Sequence, residues 1–143
     1  MRVYLDNCAF NRPFDDQNQI RIKIETEAKL YIQQEIDLGR IELVWSYINE
    51  SENLQNPYPE NRSYIFLWKK IAAVKIYETK NILTNADNLV KLGLKAGDAL
   101  HLASAIEGNA DYFVTTDDGI LRKIKNYLAV EIVNPTELIS KIT

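Results

Sequence analysis

The first apolar run of this chain begins at its third residue and ends at an acid. Residues 3–5 predict a short buried strand, and Asp6 follows them directly. Residues 112–114 form a second run of this kind, and the turn-forming stretch after it contains Asp117. Because ligands of open α/β sheets bind outside the carboxyl ends of the strands, we expect both carboxylates to lie at a binding edge.

Helix and strand patterns alternate between and after these two runs. Helices are predicted over residues 20–38, 46–56, 62–79, 84–92 and 98–107, then after residue 119 and from residue 135, with further strands over 41–45 and 130–133. Ser46 is a predicted helix cap, and Asn134, Pro135 and Glu137 form a strong helix-start signal. The alternation predicts an α/β fold with a mainly parallel central sheet and helices on both faces, formed by one domain over residues 1–143.

Composition limits the class of protein. The 143 residues are 46% hydrophobic and 26% charged, as expected for one globular domain, and no apolar run is long enough to cross a bilayer. A strand starting at residue 2 leaves no room for a signal peptide, and the lone Cys8 fits a reducing compartment. We therefore expect a cytoplasmic protein with no membrane partner.

Net charge does not indicate a nucleic-acid binder, because the chain carries −3 at pH 7. Basic residues nevertheless cluster locally, and either a phosphate backbone or solvent alone would explain such clusters. They are Arg21 with Lys23, Arg62 with Lys69 and Lys70, Lys91 with Lys95, and Arg122 with Lys123 and Lys125.

Acidic side chains dominate the candidate functional residues. We expect Asp98 to open a helix after Gly97, where the helix dipole favours an ionised carboxylate, and Asp118 to cap the helix that follows it. A capping role alone would also explain Asp98. Carboxylates without His or Cys are the ligands that Mg²⁺ or Mn²⁺ prefer.

Four segments together resemble the PIN-domain ribonucleases, which include the VapC-type toxins. They are residues 3–7, the stretch from Ser46 to Glu52, residues 97–105 and residues 110–117. The resemblance covers nearly the whole chain and implies a parallel sheet that gathers acids to bind Mg²⁺ or Mn²⁺ for RNA cleavage. By this resemblance the metal-binding and catalytic residues are Asp6, Glu52, Asp98 and Asp117.

Two positions depart from the family pattern or leave it ambiguous. Asn7 stands where family members commonly have Thr or Ser after the first acid. Glu50 and Glu52 lie about 200° apart on a helix, so both cannot face one metal ion. The resemblance favours Glu52, six residues after Ser46, and would leave Glu50 a solvated helix residue.

Other reactive residues have both functional and structural interpretations. His101, one helical turn from Asp98, would either carry a proton or pack beside the site. Cys8 is expected to be a small filler rather than a nucleophile. In the loop after the first strand, Arg12 and Phe14 could reach a phosphate and a base.

The resemblance implies metal-assisted hydrolysis of phosphodiester bonds in single-stranded or structured RNA. A VapC-type toxin would also pair with an antitoxin protein and form a homodimer. The alternative is an RNA- or protein-binding module that keeps the PIN-like fold without catalysis.

Overall fold

The computed structural model describes residues 1–124 and 129–143, which form one parallel sheet covered by helices. The strands are β1 (Arg2–Leu5), β2 (Glu42–Ser46), β3 (Val74–Ile76), β4 (Tyr112–Val114) and β5 (Glu131–Val133). The α-helices are α1 (Asn7–Asn11), α2 (Ile20–Asp37), α3 (Tyr47–Leu54), α4 (Pro59–Ile71), α5 (Lys80–Lys91), α6 (Ala96–Glu107), α7 (Asp118–Lys123) and α8 (Pro135–Ile142), and a 3-10 turn covers Arg12–Phe14.

The strand order is β3-β2-β1-β4-β5, and every strand pair is parallel. The chain adds strands on one side of β1 and then, after β3, continues on its other side with β4. The order therefore reverses between β1 and β4, where Leu5 lies opposite Val114. A reversal of this kind opens a crevice at the carboxyl ends of the two strands.

Two apolar cores lie on opposite faces of the sheet, as the alternation of side chains along a strand requires. Tyr4 and Phe113 face one core, which helices α5 and α6 cover, and their rings stack at 5.4 Å. Val3 and Leu5 face the other core, to which α1, α2, α4 and α8 contribute. The predicted α/β class with helices on both faces is confirmed, and the sheet is parallel throughout.

The single helix predicted over residues 62–79 is wrong. Helix α4 ends at Ile71, and residues 74–76 form β3 instead. The Ala73 N–H donates to the Leu43 carbonyl at 3.0 Å, and β3 continues this pairing along β2. A three-residue strand is too short to show its own periodicity, so the free edge of β2 decides its conformation.

Several helix starts also differ from prediction. Thr79 caps α5 by accepting from the Ile82 N–H, so this helix starts before residue 84. Helix α6 starts at Ala96, which places Asp98 inside its first turn rather than at its opening. Asp117, not Asp118, caps α7, because its side chain accepts from the Gly119 N–H.

The predicted start of the last helix is confirmed. Asn134 and Glu137 form a reciprocal capping box with Pro135 at the first helical position. Of the basic clusters, Lys125 lies outside the described residues. Across the part of the chain that the structure covers, no helix has the length and apolar character needed to cross a membrane.

Candidate functional site

The crevice between β1 and β4 has an acid on each side. Asp6 follows β1 and is tied to β4, because its N–H donates to the Val114 carbonyl at 3.1 Å. Asp117 lies three residues beyond the end of β4, as the N-cap of α7. The two acids from distant parts of the sequence therefore both lie at the carboxyl ends of neighbouring strands, at one edge of the sheet.

Asp6 is buried, with 4% of its surface exposed, and its carboxylate has two donors on α1. The Ala9 N–H donates to Oδ1 at 3.0 Å, which makes Asp6 the N-cap of that helix, and the Cys8 thiol donates to the same oxygen at 2.8 Å. Burial raises the pKa of Asp6, and the thiol and His101 only partly oppose that shift. The site therefore holds a carboxylate that lacks full solvation.

Asp117 and Asp118 have different surroundings. The Asp117 N–H donates to the buried Thr115 hydroxyl at 3.0 Å, which fixes the backbone where β4 ends. Asp118 instead accepts two hydrogen bonds from the Arg21 guanidinium, at 2.6 and 2.7 Å. These hydrogen bonds lower the pKa of Asp118. Asp118 is thus a partner of Arg21, whereas Asp117 remains available to the site.

The pKa of Asp98 is affected by the charges of the other three predicted acids. Its pKa is raised first by burial and then by the negative charges of Asp117, Asp6 and Glu52, with His101 acting in the opposite direction. The other three predicted acids therefore lie close enough to Asp98 to repel its charge. Carboxylates gathered without a cation raise each other's pKa in this way.

Glu52 reaches the site from α3 through a histidine. His101 Nε2 lies 2.5 Å from Glu52 Oε1, and Nδ1 of the same ring lies 2.6 Å from the Tyr4 hydroxyl. An ionised carboxylate only accepts, so Nε2 carries a proton and donates to Glu52, while Nδ1 shares a hydrogen bond with the Tyr4 hydroxyl. His101 is 3% exposed and thus packs beside the site, as one of its two interpretations predicted.

Glu50 points away from the other acids. Its carboxylate forms an ion pair with Lys69 of α4. The rotation of α3 that brings Glu52 to His101 necessarily turns Glu50 elsewhere, since the two positions are about 200° apart. This geometry supports the choice of Glu52. It also shows that Lys69, a member of one of the basic clusters, is the ion-pair partner of Glu50.

Asn7, the departure from the family pattern, joins a network at the base of α3. The Asn49 side chain donates to Asn7 Oδ1 at 2.8 Å and to the Leu5 carbonyl at 3.0 Å. Asn49 also forms a capping box with Ser46, which confirms that residue as a helix cap. Asn7 therefore fixes α3 against the end of β1, a role that the sequence did not reveal.

The remaining sequence candidates are also placed. Burial and the Asp6 charge raise the pKa of the Cys8 thiol, which keeps it a protonated donor rather than a nucleophile. Arg12 forms ion pairs with Asp15 and Glu25, both at 3.0 Å, so its charge is already neutralised. Phe14 is partly exposed and lines a groove next to the acids.

The donor set fits a hard divalent cation. The four acids supply oxygen ligands, and a cation would relieve the repulsion that raises the pKa of Asp98. Within residues 1–124 and 129–143, however, no three His, Cys, Asp or Glu side chains are placed closely enough to ligate one ion directly. Mg²⁺ commonly keeps several waters and uses few carboxylates, so a compact protein cage is not required.

Sequence reasoning missed the residues that support the acids. Tyr4 and Asn49 both act through hydrogen bonds between elements far apart in sequence, with separations of 97 residues to His101 and 44 residues to Leu5. Tyr4 occupies an ordinary strand position, and Asn49 an ordinary first-turn position. No local pattern distinguishes such residues from core or cap residues.

The PIN-domain family model matches residues 3–126 of this chain. No curated protein matches it, but two solved structures share its fold. VapBC-1 from nontypeable Haemophilus influenzae is 20% identical with a TM-score of 0.59, over 95% of this chain and 99% of that one. VapBC2 from Rickettsia felis, bound to a DNA fragment from its promoter, is 15% identical with a TM-score of 0.58, over 94% and 98%.

Proposed function

Because this chain belongs to the PIN-domain family, we propose that it is a metal-dependent endoribonuclease whose acids are Asp6, Glu52, Asp98 and Asp117. One observation carries the proposal: the pKa of Asp98 is raised by burial and by the charges of the other three acids. Structural carboxylates are normally paired with cations or donors, whereas mutually repelling ones mark functional sites. The switch point of the sheet is also where such a site belongs.

The four acids have distinct tasks in this proposal. Asp6 and Asp117, beyond the ends of neighbouring strands, and Asp98, on α6, would hold Mg²⁺ or Mn²⁺. When bound, the ion supplies positive charge to the phosphoryl oxygens and lowers the pKa of a water nucleophile. Glu52, held by His101, either completes the ligand set or orients the attacking water.

A second candidate function is an RNA- or protein-binding module without catalysis. It is favoured by the spacing of the acids, since no three of the described His, Cys, Asp or Glu side chains stand within direct reach of one ion. In that case Asp6 and Asp117 would serve only as the caps of α1 and α7. The two candidates differ in one observable, metal-dependent loss of intact RNA.

We also propose partners and a setting. The two solved structures named above carry the VapBC name, which supports a toxin–antitoxin pair in which this chain is the VapC-like toxin. An antitoxin partner, a homodimer and a cytoplasmic location follow from that assignment. Size-exclusion chromatography with light scattering on the chain alone tests the homodimer directly.

Cleavage of end-labelled single-stranded RNA tests the main proposal. We expect cutting with Mn²⁺ or Mg²⁺, none with chelator, and loss of cutting in Asp98→Asn. The matched control is Asp87→Asn, which removes the same charge from an exposed position on α5. Folded protein that cuts no RNA with either ion would favour the binding module, and a parallel assay on single-stranded DNA defines the substrate class.

A further inference from the structure

A groove begins at the acids and runs outward between the segment after β1 and the end of α3. Its volume is about 410 Å³, and Cys8 and Glu52 form the end that it shares with the acid site. Phe14 and Tyr58 line its outer part. A volume in this range suits a small molecule or a flat ring rather than a folded partner.

Carboxamide side chains dominate the lining of the groove. They are Asn7, Asn11, Gln55, Asn56 and Asn61. Each carboxamide offers two N–H donors and a carbonyl acceptor without carrying charge. Five of them around one groove form a surface suited to a neutral ligand with several donors and acceptors.

Hydrogen bonds hold two of these carboxamides, those of Asn11 and Asn56, in fixed orientations. Asn11 donates to the Asn7 carbonyl at 2.8 Å, Asn56 donates to Asn11 Oδ1 at 3.2 Å, and the Tyr58 N–H donates to Asn56 Oδ1 at 3.1 Å. The side-chain nitrogens of Asn11 and Asn56 each use one of their two N–H groups in these hydrogen bonds. The lining is therefore ordered before a ligand binds, and the second N–H group of each amide remains available to donate to that ligand.

Two carboxamides have no internal partner at all. The side chains of Gln55 and Asn61 make no hydrogen bond to any other described residue, although Asn61 is half-buried. Half-buried polar groups usually have a partner in the protein or in bound solvent. These two side chains are consequently free to read the hydrogen-bonding edge of a ligand.

Aromatic rings supply a stacking surface in the same groove. Phe14 is 41% exposed and Tyr58 is 65% exposed, so both rings present faces to solvent. Phe14 is held by an edge-to-face contact with Tyr64, with ring centroids 5.7 Å apart. Unpaired bases bind proteins by stacking on such rings while polar side chains contact their edges.

Charge decides between a base and a peptide as the occupant. Asp15 and Glu52 are the charged residues of the lining, and each already has a partner, Arg12 for Asp15 and His101 for Glu52. Among the described residues of the lining there is no Lys or Arg to attract a phosphate, and the two partnered acids would offer a basic peptide little attraction. A neutral base carries the complementary hydrogen-bonding groups and the flat face.

We propose that this groove is a nucleobase subsite, which takes one unpaired base of an RNA strand whose phosphate lies at the adjoining acids. This inference rests on the proposed function and adds the recognition element to it. Because carboxamides contact base edges in specific pairings, the subsite would impose a base preference next to the cleaved bond.

Direct binding separates this inference from catalysis. In the Asp98→Asn background, fluorescence anisotropy measures the affinity of labelled oligo(A), oligo(C) and oligo(U) ribonucleotides. We expect Phe14→Ala with Tyr58→Ala to weaken binding about tenfold for all three, since stacking tolerates any base. Gln55→Leu with Asn61→Leu should reduce the difference in affinity between the three, because it removes edge contacts but not stacking.

Matched controls come from the same chain. Tyr77→Ala removes an equally exposed tyrosine, and Gln34→Leu removes an exposed glutamine on α2, both outside the groove. Each should leave RNA affinity unchanged. Circular dichroism and melting curves verify that every variant is folded.

The outcomes are distinct. If the groove variants bind RNA as tightly as the controls do, the subsite is overturned while the nuclease proposal stands. If a labelled oligoarginine peptide binds more tightly than any RNA, and only the groove variants lose it, the groove is a peptide site and the inference fails. Base-dependent binding that the groove variants alone lose, in a chain that never cuts RNA, would support the subsite and reject the nuclease.

Discussion

His101 Nε2 donates to Glu52 Oε1 at 2.5 Å, while the Tyr4 hydroxyl lies 2.6 Å from Nδ1 of the same ring. The Tyr4 hydroxyl also lies 2.6 Å from Ser46 Oγ, at the start of the helix that carries Glu52. A buried chain of polar groups thus connects β1, α6 and α3. Its outer end, Glu52, has 42% of its side chain exposed and faces the acid site.

Replacing His101 should weaken the site without removing any acid. We expect His101→Ala to reduce both Mn²⁺ affinity and RNA cleavage about 10–100-fold, the range seen when residues that orient metal ligands are lost. Isothermal titration with Mn²⁺ gives the affinity independently of activity. His101→Gln, whose amide can still donate to Glu52, should recover part of both, and equal losses in the two variants would contradict an orienting role.

The two glutamates of α3 should differ sharply. Glu52→Gln removes a charge from the acid set, so we expect cleavage to fall at least about 100-fold, as for other groups that act on the transition state. Glu50→Gln breaks only the ion pair with Lys69 and should leave the cleavage rate unchanged. Single-turnover rates for the two variants decide the assignment, and the reverse ranking would transfer the role to Glu50.

Neutralising Asp98 should stabilise the metal-free protein. Burial and neighbouring carboxylates raise its pKa, so its charged form costs folding energy at neutral pH. We expect Asp98→Asn to raise the Tm by about 2–4 °C without metal, which corresponds to roughly 1 kcal/mol at this chain length. Mn²⁺ should raise the Tm of wild type but little that of Asp98→Asn.

The pH dependence of that effect has a definite sign. A carboxyl whose pKa is higher in the folded state binds more protons when folded, so stability falls as pH rises from the unfolded value towards the raised folded value. The Tm difference between Asp98→Asn and wild type should therefore shrink on acidification towards pH 4. A constant difference across this range would show that repulsion is not its cause.

Lys29 introduces a separate pH dependence far from the acids. Its side chain is fully buried, and burial lowers the pKa to about 7. Its Nζ donates to the Phe10 carbonyl at 3.3 Å, and the Phe10 ring centroid is 5.4 Å away. The folded protein therefore favours the neutral amine.

For such a group the cost of burial is present in full below pH 7 and disappears as pH rises to the unfolded value of about 10.5. We expect Lys29→Met to be more stable than wild type at pH 7, with a difference that shrinks by as much as about 4 kcal/mol by pH 10.5. Urea unfolding of both proteins at several pH values measures it. Comparing the pair cancels the titration of Tyr4 and Cys8, and parallel pH profiles would contradict the prediction.

The sequence by itself determined where the strands end and which acids end them. Apolar runs followed directly by Asp6 or by the turn containing Asp117 are local patterns, and so is the capping box of Asn134 and Glu137. Because β1 and β4 are parallel neighbours, Asp6 and Asp117 then lie at the same edge of the sheet. The fold class and two of the four proposed site residues follow from patterns within a few residues of each position.

Only the tertiary structure decided the contacts between distant elements. The hydrogen bond from His101 selects Glu52 over Glu50, the free edge of β2 turns residues 74–76 into a strand, and Arg21 binds Asp118 and leaves Asp117 to the site. Each of these outcomes depends on a partner at least 30 residues away along the chain. Local periodicity and capping patterns contain no information about such partners, because the packing of the elements brings them together.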